Sequence, residues 1–158
     1  MLVDPNGAAF GIVPLSSVEP PAAAVSAGSG DGADPVGSIA WLDLTVADAA
    51  ATRDFYRQVV GWSVQDVAMK DAAGAYADFN MLGGDGEPAA GVCHARGVNA
   101  DLPPVWMLYL PVGDLGESLQ LVEEEGGEVI KATRGTDGRW AHAAVRDPVG
   151  VCLALVQG

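Results

Sequence analysis

Between Ile39 and Trp62 the chain reads IAWLDLTVADAAATRDFYRQVVGW. Leu42, Leu44 and Val46 alternate with polar neighbours, the pattern of a half-buried strand. Asp48 then stands where a helix N-cap belongs, ahead of Ala49, Ala50 and Ala51, which are strong helix formers. Phe55, Val59 and Val60 place an apolar stripe at helical spacing. Gly61 supplies the C-terminal glycine, and Trp62 opens the next strand. The same order of polar and apolar positions returns 66 residues later, in VWMLYLPVGDLGESLQLVEEEGGEVI (Val105 to Ile130). Leu42, Leu44 and Val46 fall on Leu108, Leu110 and Val112, Asp48 falls on Asp114, and Gly61 falls on Gly127. This is an internal repeat.

Each copy continues with three strands. In the first half they are Val64 to Val67, Ala75 to Met81 and Pro88 to Ala95, separated by the turns Asp71 to Gly74 and Gly83 to Gly86. In the second they are Glu128 to Thr133, Trp140 to Arg146 and Val151 to Val156, with a glycine-rich hairpin turn at Gly135 to Gly138. Arg96 to Pro104, polar and proline-ended, is the crossover. The expected class is α+β: two βαβββ repeats (38–95 and 105–158) forming a curved mixed sheet with helices on the outer face.

The N-terminal part follows another pattern. Residues 16–37 are rich in Pro, Ala, Gly and Ser and are expected to be a flexible linker. Residues 1–15 contain DPNGAAFGIVPL, which echoes the closing DPVGVCLALVQG: an Asp-Pro-x-Gly turn running into an apolar strand. The first copy is therefore expected to be an orphan strand resembling the end of a preceding module, free to add at an exposed sheet edge of its own or of a neighbouring module.

Composition narrows the functional classes. With 21 acids against 8 bases the net charge is −13, which repels nucleic acid and anionic membranes. No apolar run reaches the ~20 residues of a membrane span. No basic-then-apolar leader opens the chain, so a cytoplasmic location is expected. Cys93 and Cys152 form neither a disulfide framework nor a CxxC pair. No GxSxG element is present, and His94 and His142 show no HxH or HExxH spacing.

Strand alternation separates two faces. The leucine faces pack under the helices, which leaves Trp41, Asp43 and Thr45 on one central strand and Met107, Tyr109 and Pro111 on the other. With Trp140 and His142 they would line a cavity of mixed aromatic and polar character. The expected ligand-binding set is Trp41, Asp43, Met107, Tyr109, Trp140 and His142, for a planar aromatic molecule held by stacking and a charge partner. No residue is assigned a catalytic role.

LxLxVxDxxxxxxFYxxVxGW (Leu42 to Trp62), the second-half Val112, Asp114, Leu115, Gly126 and Gly127, and the closing DPxG strand together resemble the vicinal oxygen chelate superfamily of glyoxalases, bleomycin-resistance proteins and extradiol dioxygenases. The resemblance covers Ser38 to Gly158. It implies a divalent metal held by His, Gln or Glu on strands one, four, five and eight. Those positions carry over to Trp41, Ala90 or a neighbour, Met107 and Ala154. None offers a hard-metal donor. The implied module is therefore metal-free and without a cofactor, it binds a small aromatic ligand, and it forms a homodimer. The alternatives are a metal-dependent lyase, isomerase or dioxygenase-type enzyme, or a hydroxylase partner in aromatic metabolism.

Overall fold

The computed structural model describes residues 1–13 and 34–158. Residues 16–33 of the expected linker lie outside that range. The chain begins with two short strands, β1 (Leu2–Val3) and β2 (Ala9–Phe10). The first half follows as β3 (Trp41–Val46), α1 (Ala49–Val60), β4 (Ser63–Asp71), β5 (Gly74–Leu82) and β6 (Pro88–His94). A 3-10 turn at Gly97–Asn99 lies in the crossover. The second half is β7 (Trp106–Val112), α2 (Leu115–Glu124), β8 (Glu128–Arg134), β9 (Trp140–Arg146) and β10 (Cys152–Gln157).

The α+β class holds: two βαβββ units build one curved, mixed eight-stranded sheet in the order β4-β5-β6-β3-β7-β10-β9-β8. The order reads the same from either edge. The halves meet where β3 and β7 run antiparallel, with Leu42 opposite Leu108. Those two leucines are equivalent in the 66-residue repeat, so the pseudo-twofold axis passes between them. Trp41 is consequently opposite Tyr109, and Asp43 opposite Met107.

Local chemistry explains the helix limits. The Asp48 carboxylate accepts from Ala51 N at 2.9 Å, and the Asp114 carboxylate accepts from Glu117 N at 2.8 Å. Each satisfies a free N–H of the first turn. Gly61 ends α1 in the left-handed region at φ 83°. In the second half the left-handed residue is Gly126, at φ 85°, not its neighbour. Gly127 serves close approach instead: a Cβ there would lie 2.7 Å from the Arg146 carbonyl oxygen. Strand β4 is longer than its apolar stretch suggests. It is an outer strand, its residues are mostly exposed, and its nine-residue ladder with β5 carries it to Asp71.

Beneath α1 lies a core of Leu44, Val46, Ala49, Tyr56, Phe79, Met81 and Val92; beneath α2 lies one of Leu115, Leu119, Ala143, Val145 and Leu155. The N-terminal segment differs from expectation. Among the described residues it does not extend the large sheet of its own module; β1 and β2 pair with each other, Leu2 opposite Phe10 and Val3 opposite Ala9. The hairpin lies on α1, with Ala8 in that helix's core and Phe10 edge-on to Phe55 and Tyr56. Its turn has the bonding of the β9–β10 turn. Asp4 N donates to Ala8 O, Gly7 N to Asp4 O, and Asn6 N and Ala8 N to Asp4 Oδ1, as Asp147, Gly150, Val149 and Val151 do later. Closing on itself and burying an aromatic side chain satisfies the segment without a sheet edge.

Candidate functional site

Opposite the helices, alternation turns Trp41, Asp43 and Thr45 of β3, Asp78 of β5, Gly91 and Cys93 of β6, Met107 and Tyr109 of β7, His142 and Ala144 of β9, and Cys152 and Ala154 of β10 onto the concave face. The centre is Asp43. Its Oδ1 accepts from the Trp41 indole Nε1 at 2.7 Å, and the Tyr109 hydroxyl stands at the same carboxylate. Asp43 fits because its neighbour across the ladder is Gly91: a Cβ there would come within 1.9 Å of Asp43 Oδ1 and 3.4 Å of Trp41 Nε1. The Trp41–Asp43 bond thus fixes two side chains of β3, with Tyr109 beside the same carboxylate, and the indole is held in one orientation by a bond that a free tryptophan would not have.

Electrostatics follow from burial. Desolvation raises the Asp43 pKa, against the lowering effect of its bonds to Trp41 and Tyr109. The Tyr109 hydroxyl is pushed up by burial and then by Asp43, so it stays protonated. The Cys93 thiol is pushed up by burial and by the carboxylates of Asp43 and Asp78, which disfavours a thiolate nucleophile. His142 is lowered by burial and by the charge of Lys131, only partly offset by Asp43, so its imidazole is neutral near pH 7. At the edge of this region the Asp78 carboxylate accepts from His94 N at 2.8 Å and lies 3.1 Å from His94 Nδ1.

The second half of the concave face is covered. Met107, Ala144 and Ala154 form a buried apolar cluster, and Leu102 of the crossover packs on it. Val98, Leu102, Met107, Tyr109, Lys131, Thr133, His142, Ala144 and Ala154 line a cavity of only about 10 Å³, room for about one water, with the crossover in place over it.

Of the six expected ligand residues, the structure brings Trp41, Asp43, Met107, Tyr109 and His142 to one face. It does not bring Trp140 there. That ring packs with the α2 core near Gly116, under the Arg134 guanidinium 3.6 Å away. Irregular pairing of β8 with β9 beside it, between Thr133 and Arg134, breaks the simple alternation. Gly91, Leu102 and Lys131 were missed by sequence reasoning. A glycine in mid-strand is the one signal that pointed to a close approach; a loop leucine and a strand lysine carry none.

The metal implied by the resemblance meets Trp41, Met107 and Ala154 on the concave face. Of the two residues offered for the fourth strand, Ala90 lies in the α1 core and its neighbour Gly91 faces the concave side. An indole N–H, a thioether, a methyl and a hydrogen do not make a site for a hard divalent ion. Among the described residues, no group of three His, Cys, Asp or Glu side chains is placed to hold one elsewhere. Nor, among them, is any helix long and apolar enough to cross a membrane.

The chain is 31% identical over 131 residues to the anthracycline biosynthesis protein DnrV of Streptomyces peucetius, covering 75% of this chain and 46% of the relative. It is 30% identical over 131 residues to the anthracycline biosynthesis protein DauV of Streptomyces sp. strain C5, covering 75% and 46%. The chain thus spans less than half the length of these curated relatives. Among solved structures, glyoxalase I from Zea mays aligns with a TM-score of 0.49 at 19% identity, over 78% of this chain and 44% of that one. The family model described as Glyoxalase/Bleomycin resistance protein/Dioxygenase superfamily matches residues 38–155, and the chain belongs to that superfamily.

Proposed function

We propose that this chain is a metal-free small-molecule-binding module that takes a planar aromatic ligand on the concave face of its sheet. The observation that carries the reading is the Trp41–Asp43–Tyr109 group. A flat indole, fixed by a 2.7 Å bond, offers a stacking surface whose ordering cost is already met before a ligand arrives. Tyr109, Asp43 and the neutral His142 surround it with hydrogen-bonding groups for ring oxygens. The two relatives named for anthracycline biosynthesis support the same class, since anthracyclines are fused planar ring systems.

The test is titration with 2,6-dihydroxyanthraquinone, read by tryptophan fluorescence and by calorimetry. A saturable one-to-one signal is expected, and Trp41→Ala weakens it about tenfold. No saturable binding at any soluble concentration would sink the reading.

A second reading draws on the buried, pKa-raised Asp43 facing His142: an enzyme that moves a proton on its ligand. Turnover of a bound aromatic that survives EDTA and disappears in Asp43→Asn would favour it. The expected homodimer belongs to the same proposal, because β4 and β8 leave two unpaired edges on the sheet; sedimentation equilibrium decides it.

A further inference from the structure

The segment Ala95–Val105 joining the two halves crosses the concave face of the second half. Arg96 anchors its first turn: Nε and Nη2 each donate to Asp71 at 2.7 Å, and the guanidinium lies 4.1 Å from the centre of the Tyr76 ring. Farther along, Lys131 Nζ donates to the Ala100 carbonyl at 2.7 Å. Leu102 seats on Met107, Ala144 and Ala154, and Val98 forms the rim of the cavity. Beside the Lys131 bond, Asp101 has φ 70°, the one non-glycine residue with positive φ among those described. The strap is thus held over the cavity by one hydrogen bond and two apolar side chains, at a strained turn.

Among the described residues Lys131 is the only Lys or Arg lining that cavity, in a chain of net charge −13. Its present acceptor is a neutral carbonyl. An anionic oxygen is a stronger partner, because charge-assisted bonds are roughly twice as strong as neutral ones. His142 beside it is held neutral, partly by the lysine's own charge, and so adds no second cation.

Resting on the reading of this face as an aromatic-binding site, we propose that Lys131 is a latch: it ties the strap down across the concave face and moves to the acidic oxygen of an incoming aromatic anion, a phenolate or carboxylate, as the strap lifts and opens room for the rings. The ligand class is then a planar aromatic acid rather than any planar aromatic. Lys131 decides between them, and Leu102 occupies the space that the rings take.

The experiment uses anthraquinone-2-carboxylate and its neutral methyl ester as probes on the full chain and on Lys131→Met, Lys131→Arg and Leu102→Ala. Calorimetry gives affinities, and hydrogen exchange follows the amides of 97–104. The full chain should prefer the carboxylate by about tenfold or more. Lys131→Met should bind both probes equally and exchange its strap amides fast without any probe. Lys131→Arg should keep the preference, and Leu102→Ala should bind both probes more tightly. Equal affinities in the unaltered chain, or strap amides equally protected with and without probe, overturn the latch while leaving aromatic binding intact. If neither probe binds any of the four proteins, the aromatic reading fails and the latch with it. Should Lys131→Met not fold, the preference of the unaltered chain and the Leu102→Ala result still decide.

Discussion

The two halves share one βαβββ plan and are covered on opposite sides. In the first half the helix is covered: the β1–β2 hairpin lies on α1, and Phe10, Phe55, Tyr56, Trp62 and Trp106 form a chain of ring contacts. Its concave face carries the half-buried Trp41 and Asp43 beside the buried Asp78. In the second half the concave face is covered, by the strap, and among the described residues no added segment lies on the helix. The repeat partners of Thr52, Phe55 and Tyr56 are Ser118, Leu121 and Val122, and Leu121 is 49% exposed. Each half therefore buries its apolar surface with a segment from outside the repeat. The repeat supplies the sheet, and the two added segments decide which face stays open for chemistry.

The largest expected effect tests whether the aromatic cover belongs to the first half alone. Tyr56 is 1% exposed, donates to Asp4 Oδ2 at 3.2 Å and accepts from Trp106 Nε1 at 2.9 Å. Tyr56→Ala removes a large ring and leaves both partners short, and should cost about 3–5 kcal/mol by urea denaturation. Its repeat partner is half-buried, and Val122→Ala should cost only about 1–2 kcal/mol. Equal costs would mean the halves are supported alike, and the contrast drawn above would fall.

The hairpin itself is the next break point. Asp4 is 6% exposed and accepts from Asn6 N, Ala8 N and the Tyr56 hydroxyl, while Asn6 Nδ2 donates to Thr52 Oγ1 at 2.8 Å. Asp4→Ala should cost about 1–3 kcal/mol by leaving buried donors unpaired. It should also free the amides of Leu2–Phe10 to exchange while those of β7–β10 stay protected. Protection unchanged across residues 2–10 would show that the aromatic contacts alone hold the hairpin.

These two tests also mark what the chain's pattern made legible. Strand and helix positions and the pairing of halves follow from periodicity, because Leu42 and Leu108 are equivalent positions and the axis has to pass between equivalents. Trp41, Asp43, Met107, Tyr109 and His142 were legible for the same reason, since each lies on a strand whose opposite face is plainly apolar. The coverings were not. Nothing in DPNGAAFGIVPL says that Phe10 meets Tyr56 rather than a sheet edge, and nothing in Arg96 to Pro104 says that Leu102 turns onto Met107. Both depend on contacts between segments distant in sequence and carry no period. Trp140 was misplaced at a break in strand alternation, where period-two reasoning fails.

Gly91 sharpens the view of the open face. Gly91→Ala puts a methyl 1.9 Å from Asp43 Oδ1 on an ordinary strand backbone, so the strain is steric. A cost of about 1–3 kcal/mol is expected, together with a loss of aromatic binding as Trp41 is released. In the double variant with Asp43→Ala the stability cost should shrink well below the sum, because the clashing atom is gone. Additive costs would place the strain elsewhere on β6.

The smallest effect is a matter of sign within the first half. Burial holds the Asp43 carboxyl above its ordinary 3.8, while Arg96 above all holds Asp71 down at about 2. A raised acid keeps its proton in the folded chain where the unfolded chain has lost it. Its contribution to stability therefore falls as pH climbs from 3.8 through the folded value and then stays level. A depressed acid does the reverse: the contribution of Asp71 is complete above 3.8 and disappears as pH falls through about 2. Urea midpoints of Asp43→Asn and Asp71→Asn against the unaltered chain separate the two. Asp43→Asn should gain on the unaltered chain as pH rises above 3.8, whereas Asp71→Asn should lose on it as pH rises from about 2 to 3.8 and then hold level. If Asp43→Asn instead lost ground with rising pH, the bonds from Trp41 and Tyr109 would outweigh burial. The carboxylate at the centre of the open face would then be a charge ready for a ligand rather than a group held close to its neutral form.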